Sequence, residues 1–364
     1  MTTRLWRHFD PWMLTAGVVL TIMGIAFINS ATLEVESLAD LVQRQIIYGI
    51  LGLLVALLVA GFDYRNLMAA HWWIYGLVLV LLFLIFLSGR FGEAGARRWL
   101  LEGAVQPSEL TKVLLIVSLS QFLTIRQDRI KKLSTVLLSF AYMMAPVLFL
   151  FLQPDLGMSV EMMVIWFVMI WLAGMRWLHV GSIAATGLMA IPILWPLMEL
   201  YQKQRILAFI NPSLVPDQEY NIRQALIAIG SGGLFGKGYL LGSQSQLRFL
   251  RVRHTDFIFS IIAEEVGMVG ALVILALIAI IIFRILRVAK LSREPAGAFL
   301  CYGIATLIFF QTAVSIGMNL QLLPVTGLTL PFVSYGGSSL VTLLFGIGLV
   351  ESVLMRNQQF EFKR

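Results

Sequence analysis

Asp256 is the residue whose type and position best suit chemistry, because it immediately precedes a long apolar run that starts at Phe257. A carboxylate in that position could take a proton as a general base. It could also simply stabilise the start of a helix, because acids favour the positive end of the helix dipole. Ser260 and Glu264 follow at one and two helical turns, so a polar stripe runs down from Asp256. Such a stripe also suits hydrogen bonding between helices.

A second polar element combines Glu109 with Lys112, just after Pro107 and Ser108, which are typical of a helix start. Residues three apart share a helix face, so these two charges can pair. Charged groups inside an apolar segment are costly unless they are paired or face a polar cavity. We therefore predict an ion pair that also lines a site, with a purely structural pair as the alternative.

Two further segments contain helix breakers and polar groups. Asp155 lies in the turn 153–157, where it could cap the following helix or face the polar cavity. The glycine-rich run 230–238 could bring backbone N–H groups close to a phosphate, or it could form re-entrant backbone. It is not a P-loop, because that motif needs glycine at 231 and serine or threonine at 238, where the chain has Ser231 and Gly238.

The segments that must position these residues are apolar enough to cross a membrane. The chain of 364 residues is 59% hydrophobic and 13% charged, with a mean hydropathy of +0.86, whereas soluble domains carry roughly 25% charge. Since a span needs about 20 apolar residues, we predict an all-α polytopic membrane protein, a single domain over 1–364 with ten transmembrane helices. The predicted spans are 12–31, 44–62, 70–88, 108–125, 134–153, 157–174, 177–199, 257–284, 298–322 and 338–355.

The distribution of lysine and arginine predicts the orientation, with both termini in the cytoplasm. Two segments of the opposite, extracytoplasmic side are nevertheless basic: residues 89–107 and the large loop 200–256 between helices 7 and 8. Long loops can be translocated whatever their charge, but we favour an anion-binding outer face. The segment 323–339 on the same side has no charge and many helix breakers, so its backbone must be buried in protein or line a cavity.

Several classes of partner and site are disfavoured. The net charge of +7 follows largely from the cytoplasmic lysines and arginines, so we expect no nucleic-acid partner. Cys301 is the single cysteine, and the four histidines show no HExxH spacing, so we predict no protein metal site. No clear repeat relates the two halves of the chain, which weakens a transporter assignment.

The motifs, in their order along the chain, resemble those of the SEDS family (shape, elongation, division and sporulation proteins). The resemblance covers almost the whole sequence and looks closest to the elongation member, with the division member as the alternative. Thr111 stands where the family usually has alanine, and Arg251-Val252-Arg253 stands where it often has Pro-Glu. The matching segments are GARRWL, QPSELTK, QPDLG, YQKQRILAF, GSGGLFGKG, RHTDFIFS with AEEVG, and LPVTG followed by PFVSYGGSS.

The resemblance implies a ten-helix fold and a peptidoglycan glycosyltransferase that joins lipid II units at the outer face of the bacterial cytoplasmic membrane. It places the family's essential aspartate at Asp256, which we expect to be the general base for the acceptor hydroxyl. Basic residues would hold the departing pyrophosphate. The expected substrate-binding residues are Glu109, Lys112, Arg97, Arg98, Lys203, Arg205 and Asp155, with Arg44 as a weaker candidate.

The resemblance also implies partners, namely lipid II, the nascent glycan strand, a class B penicillin-binding protein that cross-links the strands, and other membrane proteins of the elongation complex. A divalent cation, Mg²⁺ or Mn²⁺, could accompany the substrate diphosphate, although no ligand cluster specifies one. Two alternatives remain. One is a flippase for lipid-linked precursors that uses intramembrane Glu161, Glu264 and Glu265, and the other is a non-catalytic scaffold of the cell-wall complex.

Overall fold

The computed structural model describes residues 6–33, 38, 40–88, 90–91, 97–99, 106–246 and 254–357, and these are mostly helical. The all-α prediction is confirmed, apart from two short antiparallel strands, β1 (Arg90–Phe91) and β2 (Arg97–Trp99). The helices are α1 (Pro11–Thr32), α2 (Asp40–Gly61), α3 (Tyr64–Ala69), α4 (His71–Ser88), α5 (Pro107–Ile125), α6 (Leu133–Leu152), α7 (Leu156–Leu172), α8 (Trp177–Leu197), α9 (Leu200–Ile210), α10 (Pro216–Gly232), α11 (Ser243–Gln246), α12 (Ile258–Leu291), α13 (Pro295–Asn319) and α14 (Gly337–Asn357).

Seven described helices (α1, α2, α5, α6, α12, α13 and α14) are long and apolar enough to cross a membrane. Shorter apolar stretches in α4, α7 and α8 coincide with the other three predicted spans, so for these the count of ten stays a prediction. The observed ends differ most from the predicted ones in two helices, because α2 begins already at Asp40 and α12 continues to Leu291. The predicted loop 200–256 contains α9, α10 and α11.

The buried helix α14 packs along α2 with very close backbone approach. A Cβ atom built on Gly348 of α14 would lie 2.5 Å from the carbonyl oxygen of Ala56 in α2. One built on Gly52 of α2 would lie 2.5 Å from the Cδ1 atom of Leu344. Small residues at helix crossings allow this approach, which maximises van der Waals contact where lipid offers no hydrophobic driving force.

The long helix α12 is broken at Gly267, where φ is +66°. The glycine-rich run after α10 packs into this break, and the amides of Lys237 and Gly238 donate to the carbonyl oxygens of Glu264 and Glu265, each at 2.9 Å. These N–H groups are therefore bound to backbone and are not available to a phosphate. The structure favours the re-entrant alternative for the glycine run.

We expect Gly348→Ala to lower the thermal unfolding temperature in detergent, because the added methyl would overlap the Ala56 carbonyl and overpacking costs about 1–3 kcal/mol. Gly76→Ala in α4 is the matched control, since nothing lies within 4 Å of the added methyl there. Alanine is also the better helix former, by about 1 kcal/mol. Equal unfolding temperatures for the two variants would contradict the close approach of α2 and α14.

Candidate functional site

Asp256 lies in the turn that precedes α12, one residue before the N-cap position of that helix. The loop between α13 and α14 (residues 320–336, the α13–α14 loop) binds the backbone of this turn. The hydroxyl of Ser334 donates to the carbonyl oxygen of Thr255 at 2.9 Å. The backbone amide of Tyr335 donates to the carbonyl oxygen of His254 at 3.0 Å. The uncharged loop thus fixes the two residues that lead into Asp256.

Asn319, the last residue of α13, holds the carbonyl of Asp256 itself. Its Nδ2 atom donates to the Asp256 carbonyl oxygen at 2.9 Å and to that of Ser315 at 2.7 Å. Its Oδ1 atom accepts a hydrogen bond from Ser260 at 2.6 Å. This side-chain amide therefore links α12, α13 and the Asp256 turn. Asn319 is fully buried, so water does not compete for these hydrogen bonds.

Arg205 of α9 approaches the Asp256 carboxylate across Gly327. A Cβ atom built on Gly327 would lie 3.4 Å from Nη1 of Arg205 and 3.8 Å from Oδ2 of Asp256, so the two side chains flank the same small space. Gly327 has a φ of +78°, which other residues rarely adopt. The guanidinium of Arg205 also stacks on the ring of Tyr201, with its carbon 4.4 Å from the ring centroid.

Arg44 in the first turns of α2 reaches the same loop. It is exposed and lies close enough to the hydroxyl of Tyr335 for an electrostatic interaction. The Tyr335 ring lies edge-on to His254, with centroids 5.9 Å apart. Burial raises the pKa of the Tyr335 hydroxyl, although Arg44 acts in the opposite direction. The phenol therefore stays protonated at neutral pH and remains a hydrogen-bond donor.

The predicted ion pair of Glu109 and Lys112 is present, and it has a third member. The Nζ atom of Lys112 lies 2.8 Å from Oε2 of Glu109 and 3.3 Å from Oε2 of Glu161 on α7. Only 1% of Lys112 is exposed, and Glu161 is fully buried. This buried cluster joins α5 to α7, and buried charges of this kind persist only when they are paired.

Asp155 is buried and caps α7, because its Oδ1 atom accepts a hydrogen bond from the amide of Met158 at 3.2 Å. It also lies close enough to Glu161 for an electrostatic interaction. The capping alternative considered for Asp155 is thus confirmed, and the same residue borders the buried cluster.

The starts of α5 and α7 both adjoin the segment that holds the Asp256 turn. The amide of Gln106 donates to the hydroxyl of Ser338 at 2.9 Å. A Cβ atom built on Gly157 would lie 2.9 Å from the carbonyl oxygen of Thr326. The α13–α14 loop and the start of α14 therefore contact both the Asp256 turn and the starts of the two helices, α5 and α7, that carry the buried cluster.

Three predicted basic residues are not shown to join this arrangement. Lys203 donates to the carbonyl oxygen of Pro196 at 3.4 Å, near the end of α8. The backbone of Arg97 and Arg98 belongs to β2, but their side chains lie outside the described part of the structure. The contribution of Arg97 and Arg98 to the site stays a prediction, whereas the Lys203 ammonium is bound at the end of α8.

The intramembrane acids considered for a proton-coupled carrier all have partners. Glu264 pairs with Lys237, with Oε1 2.8 Å from Nζ, and Glu265 accepts a hydrogen bond from the hydroxyl of Ser30. Glu161 belongs to the buried cluster described above. Among the residues that the structure describes, no group of three His, Cys, Asp or Glu side chains could hold a metal ion. The divalent cation stays a prediction tied to the substrate diphosphate.

Two important residues, Asn319 and Gly327, were missed by the sequence analysis. A polar amide at the end of an apolar span is a signal that could have pointed to Asn319. Gly327 lies in a quoted motif, but the close approach of Arg205 and Asp256 on either side of it depends on the folding of α9 against the α13–α14 loop.

These features define a polytopic membrane protein with a polar site at one end of its helical bundle. The family model described as a cell cycle protein, which covers FtsW, RodA and SpoVE, matches residues 10–359. The chain belongs to this family, and the resemblance inferred from its motifs is confirmed.

Relatives and solved structures match the chain over nearly its whole length. The probable peptidoglycan glycosyltransferase FtsW of Geobacter sulfurreducens is 39% identical, over 96% of each chain. The peptidoglycan glycosyltransferase MrdB of Escherichia coli is 36% identical, over 95% of this chain and 93% of that one. A chain of a peptidoglycan synthase complex that coordinates polymerization and crosslinking is 30% identical with a TM-score of 0.82, covering 96% of this chain and 99% of that one. The Rod shape determining protein RodA of Thermus thermophilus is 31% identical with a TM-score of 0.72, covering 96% and 98%.

We expect Lys112→Met to destabilise the fold strongly, by about 3–5 kcal/mol, because it leaves the carboxylates of Glu109 and Glu161 buried without a cation. The double variant that adds Glu161→Gln should recover part of the loss, since it removes one of the two unpaired charges. Thermal unfolding in detergent measures both. A single variant as stable as the wild type would contradict the structural role of the lysine.

Proposed function

We propose that this chain is a peptidoglycan glycosyltransferase that joins lipid II units into glycan strands, with Asp256 as the general base. The observation that carries the proposal is that Asp256 and Arg205 approach the same small space beside Gly327, at one end of the helical bundle. Relatives named as peptidoglycan glycosyltransferases match this chain over more than nine tenths of its length.

The proposed reaction needs one base and one region of positive charge. Asp256 takes the proton of the acceptor sugar's 4-hydroxyl while that oxygen attacks the anomeric carbon of the donor. The bond from that carbon to the polyprenyl pyrophosphate breaks in the same step, so the anomeric centre is inverted without a covalent intermediate. Arg205 stabilises the negative charge that develops on the departing pyrophosphate, and a guanidinium suits phosphate oxygens because of its forked donors.

Four other predicted substrate-binding residues, Arg44, Glu109, Lys112 and Asp155, divide into two groups. Arg44 is exposed beside Tyr335, so we propose that it makes a second contact to the pyrophosphate. Lys112 is buried and already pairs with two carboxylates, so we assign the cluster of Glu109, Lys112 and Glu161 to holding α5 and α7 in place. Asp155 acts with them through its cap on α7.

The orientation and the cellular role are also proposals. Short loops rich in lysine and arginine, such as 126–132 between α5 and α6, lie at the opposite end of the bundle from Asp256, so we place the Asp256 end on the outer face of the bacterial cytoplasmic membrane. A lipid-linked donor fits this position, because its polyprenyl tail stays in the bilayer while its sugars project outward. We propose elongation as the role, and rounded cells after depletion would support it, whereas filaments would indicate division.

The proposed partner is a class B penicillin-binding protein, with other membrane proteins of the elongation complex. Support comes from the similarity to a chain of a peptidoglycan synthase complex, in which polymerization and crosslinking are coordinated. Co-purification of this chain with a single-span transpeptidase from its own cells tests the proposal.

We expect Asp256→Asn to reduce the polymerisation of lipid II by purified protein about 10²–10⁴-fold, the range for loss of a general base. Asp128→Asn is the control, since Asp128 is an exposed residue at the opposite end of the bundle. Both variants should unfold at the wild-type temperature. Full polymerisation by Asp256→Asn would end this mechanism, and movement of lipid II across vesicles without any polymer would support a flippase instead.

We expect Arg205→Gln to lower kcat about 10²–10³-fold, as when one donor to a developing negative charge is lost, and Arg205→Lys to restore part of it. Lys203→Gln is a matched control on the same helix, because the Lys203 ammonium bonds to the Pro196 carbonyl. It should change kcat by less than about threefold, the scale of a surface charge. Equal losses in the two glutamine variants would show that net charge of α9, not the position of Arg205, matters.

A further inference from the structure

A polar cavity lies at the other end of the bundle from Asp256, where the segment before α1 meets the end of α12. Its volume is about 290 Å³. Its wall carries three cations, Arg7, Arg284 and Arg287. Among the described residues that line it, Asp10 is the one acid.

Asp10 is already fully engaged by the protein. Its Oδ2 atom lies 3.2 Å from Nη1 of Arg284, and its Oδ1 atom accepts a hydrogen bond from the amide of Trp12 at 3.1 Å. Its own amide donates to Oε2 of the buried Glu351 at 3.0 Å. These bonds hold the segment before α1 against α12 and α14, and they use the charge of Asp10 to neutralise Arg284.

Arg7 and Arg287 are thus the cations that the cavity offers to a ligand. Both are exposed, and within the residues that the structure describes neither forms an ion pair with an acid. They come from separate elements and line the same space. Two arginines lining one cavity suit a phosphate, whose oxygens accept forked hydrogen bonds from guanidinium groups.

The surroundings of the cavity are amphipathic. Trp12 on its wall is 66% exposed, and nearby Trp6 is 43% exposed. Tryptophan is enriched where a membrane meets water, so the cavity lies at headgroup level. Leu291 and Leu354 contribute apolar wall. A ligand that places a phosphate between the arginines can therefore keep its hydrocarbon chains in the adjoining bilayer.

We propose that this cavity binds the phosphate of an anionic glycerophospholipid in the cytoplasmic leaflet. The orientation is the one proposed above, whereas the binding site does not depend on the glycosyltransferase activity. Basic pockets between membrane helices on the cytoplasmic side are suited to such headgroups. The bound lipid would link the segment before α1 to the end of α12 through its phosphate.

Native mass spectrometry of the full chain in neutral detergent tests this, with phosphatidylglycerol and phosphatidylcholine titrated separately. We expect selective binding of phosphatidylglycerol. The double variant Arg7→Gln with Arg287→Gln should bind it about 25-fold more weakly, since each cation beside an anionic headgroup contributes about fivefold. The Asp256→Asn protein should bind it as tightly as the wild type, which separates this result from the proposed reaction.

The control is the double variant Arg129→Gln with Lys290→Gln, which removes the same charge from exposed positions that do not line the cavity. It should weaken binding by less than about threefold. Equal weakening in the two double variants would overturn the proposal in favour of diffuse surface attraction. Equal binding of the two lipids, or displacement of phosphatidylglycerol by millimolar inorganic phosphate, would also overturn it.

Discussion

Non-helical backbone among membrane helices must find its hydrogen-bond partners inside the protein. The conformation of the α13–α14 loop depends on such internal hydrogen bonds. The side-chain amide of Gln45 in α2 makes two hydrogen bonds to this loop. It donates to the carbonyl oxygen of Ser334 and accepts from the backbone amide of Gly336, both at 3.3 Å. The hydroxyl of Ser334 accepts a bond from the amide of Leu330 at 2.9 Å. Because the loop is fixed in this way, it can in turn fix the turn that carries Asp256.

Two cations near the Asp256 end of the bundle, Lys112 and Arg205, differ in burial and in their partners. Lys112 is sealed between two carboxylates, where low dielectric strengthens every interaction and makes an unpaired charge very costly. Arg205 is only partly buried and rests on Tyr201. The first arrangement stabilises the packing of α5 and α7, and the second leaves donors directed towards the space beside Asp256.

Local patterns predicted the parts of this structure that depend on local sequence. The apolar runs predicted the helices, and the three-residue spacing predicted the pair of Glu109 and Lys112. Glu161 could not be assigned to that pair, because its position depends on how α7 packs on α5. The sequence also could not show that Arg205, and not Lys203, lies beside Asp256. The two lie two residues apart, and the direction of each side chain follows from how α9 packs against its neighbours.

The break at Gly267 divides α12 into a short first part, which carries Ser260, and a longer second part, which contains Arg287 near its end. A continuous helix would behave as one rigid rod and carry a displacement from either membrane surface to the other. Here the glycine-rich run 230–238 packs against the break at Gly267 and is bound there by backbone hydrogen bonds. The first part is anchored separately, through the hydrogen bond from Ser260 to Asn319. A displacement at the Arg287 end of α12 would therefore reach the Asp256 turn through a joint at Gly267 and not through one continuous helix.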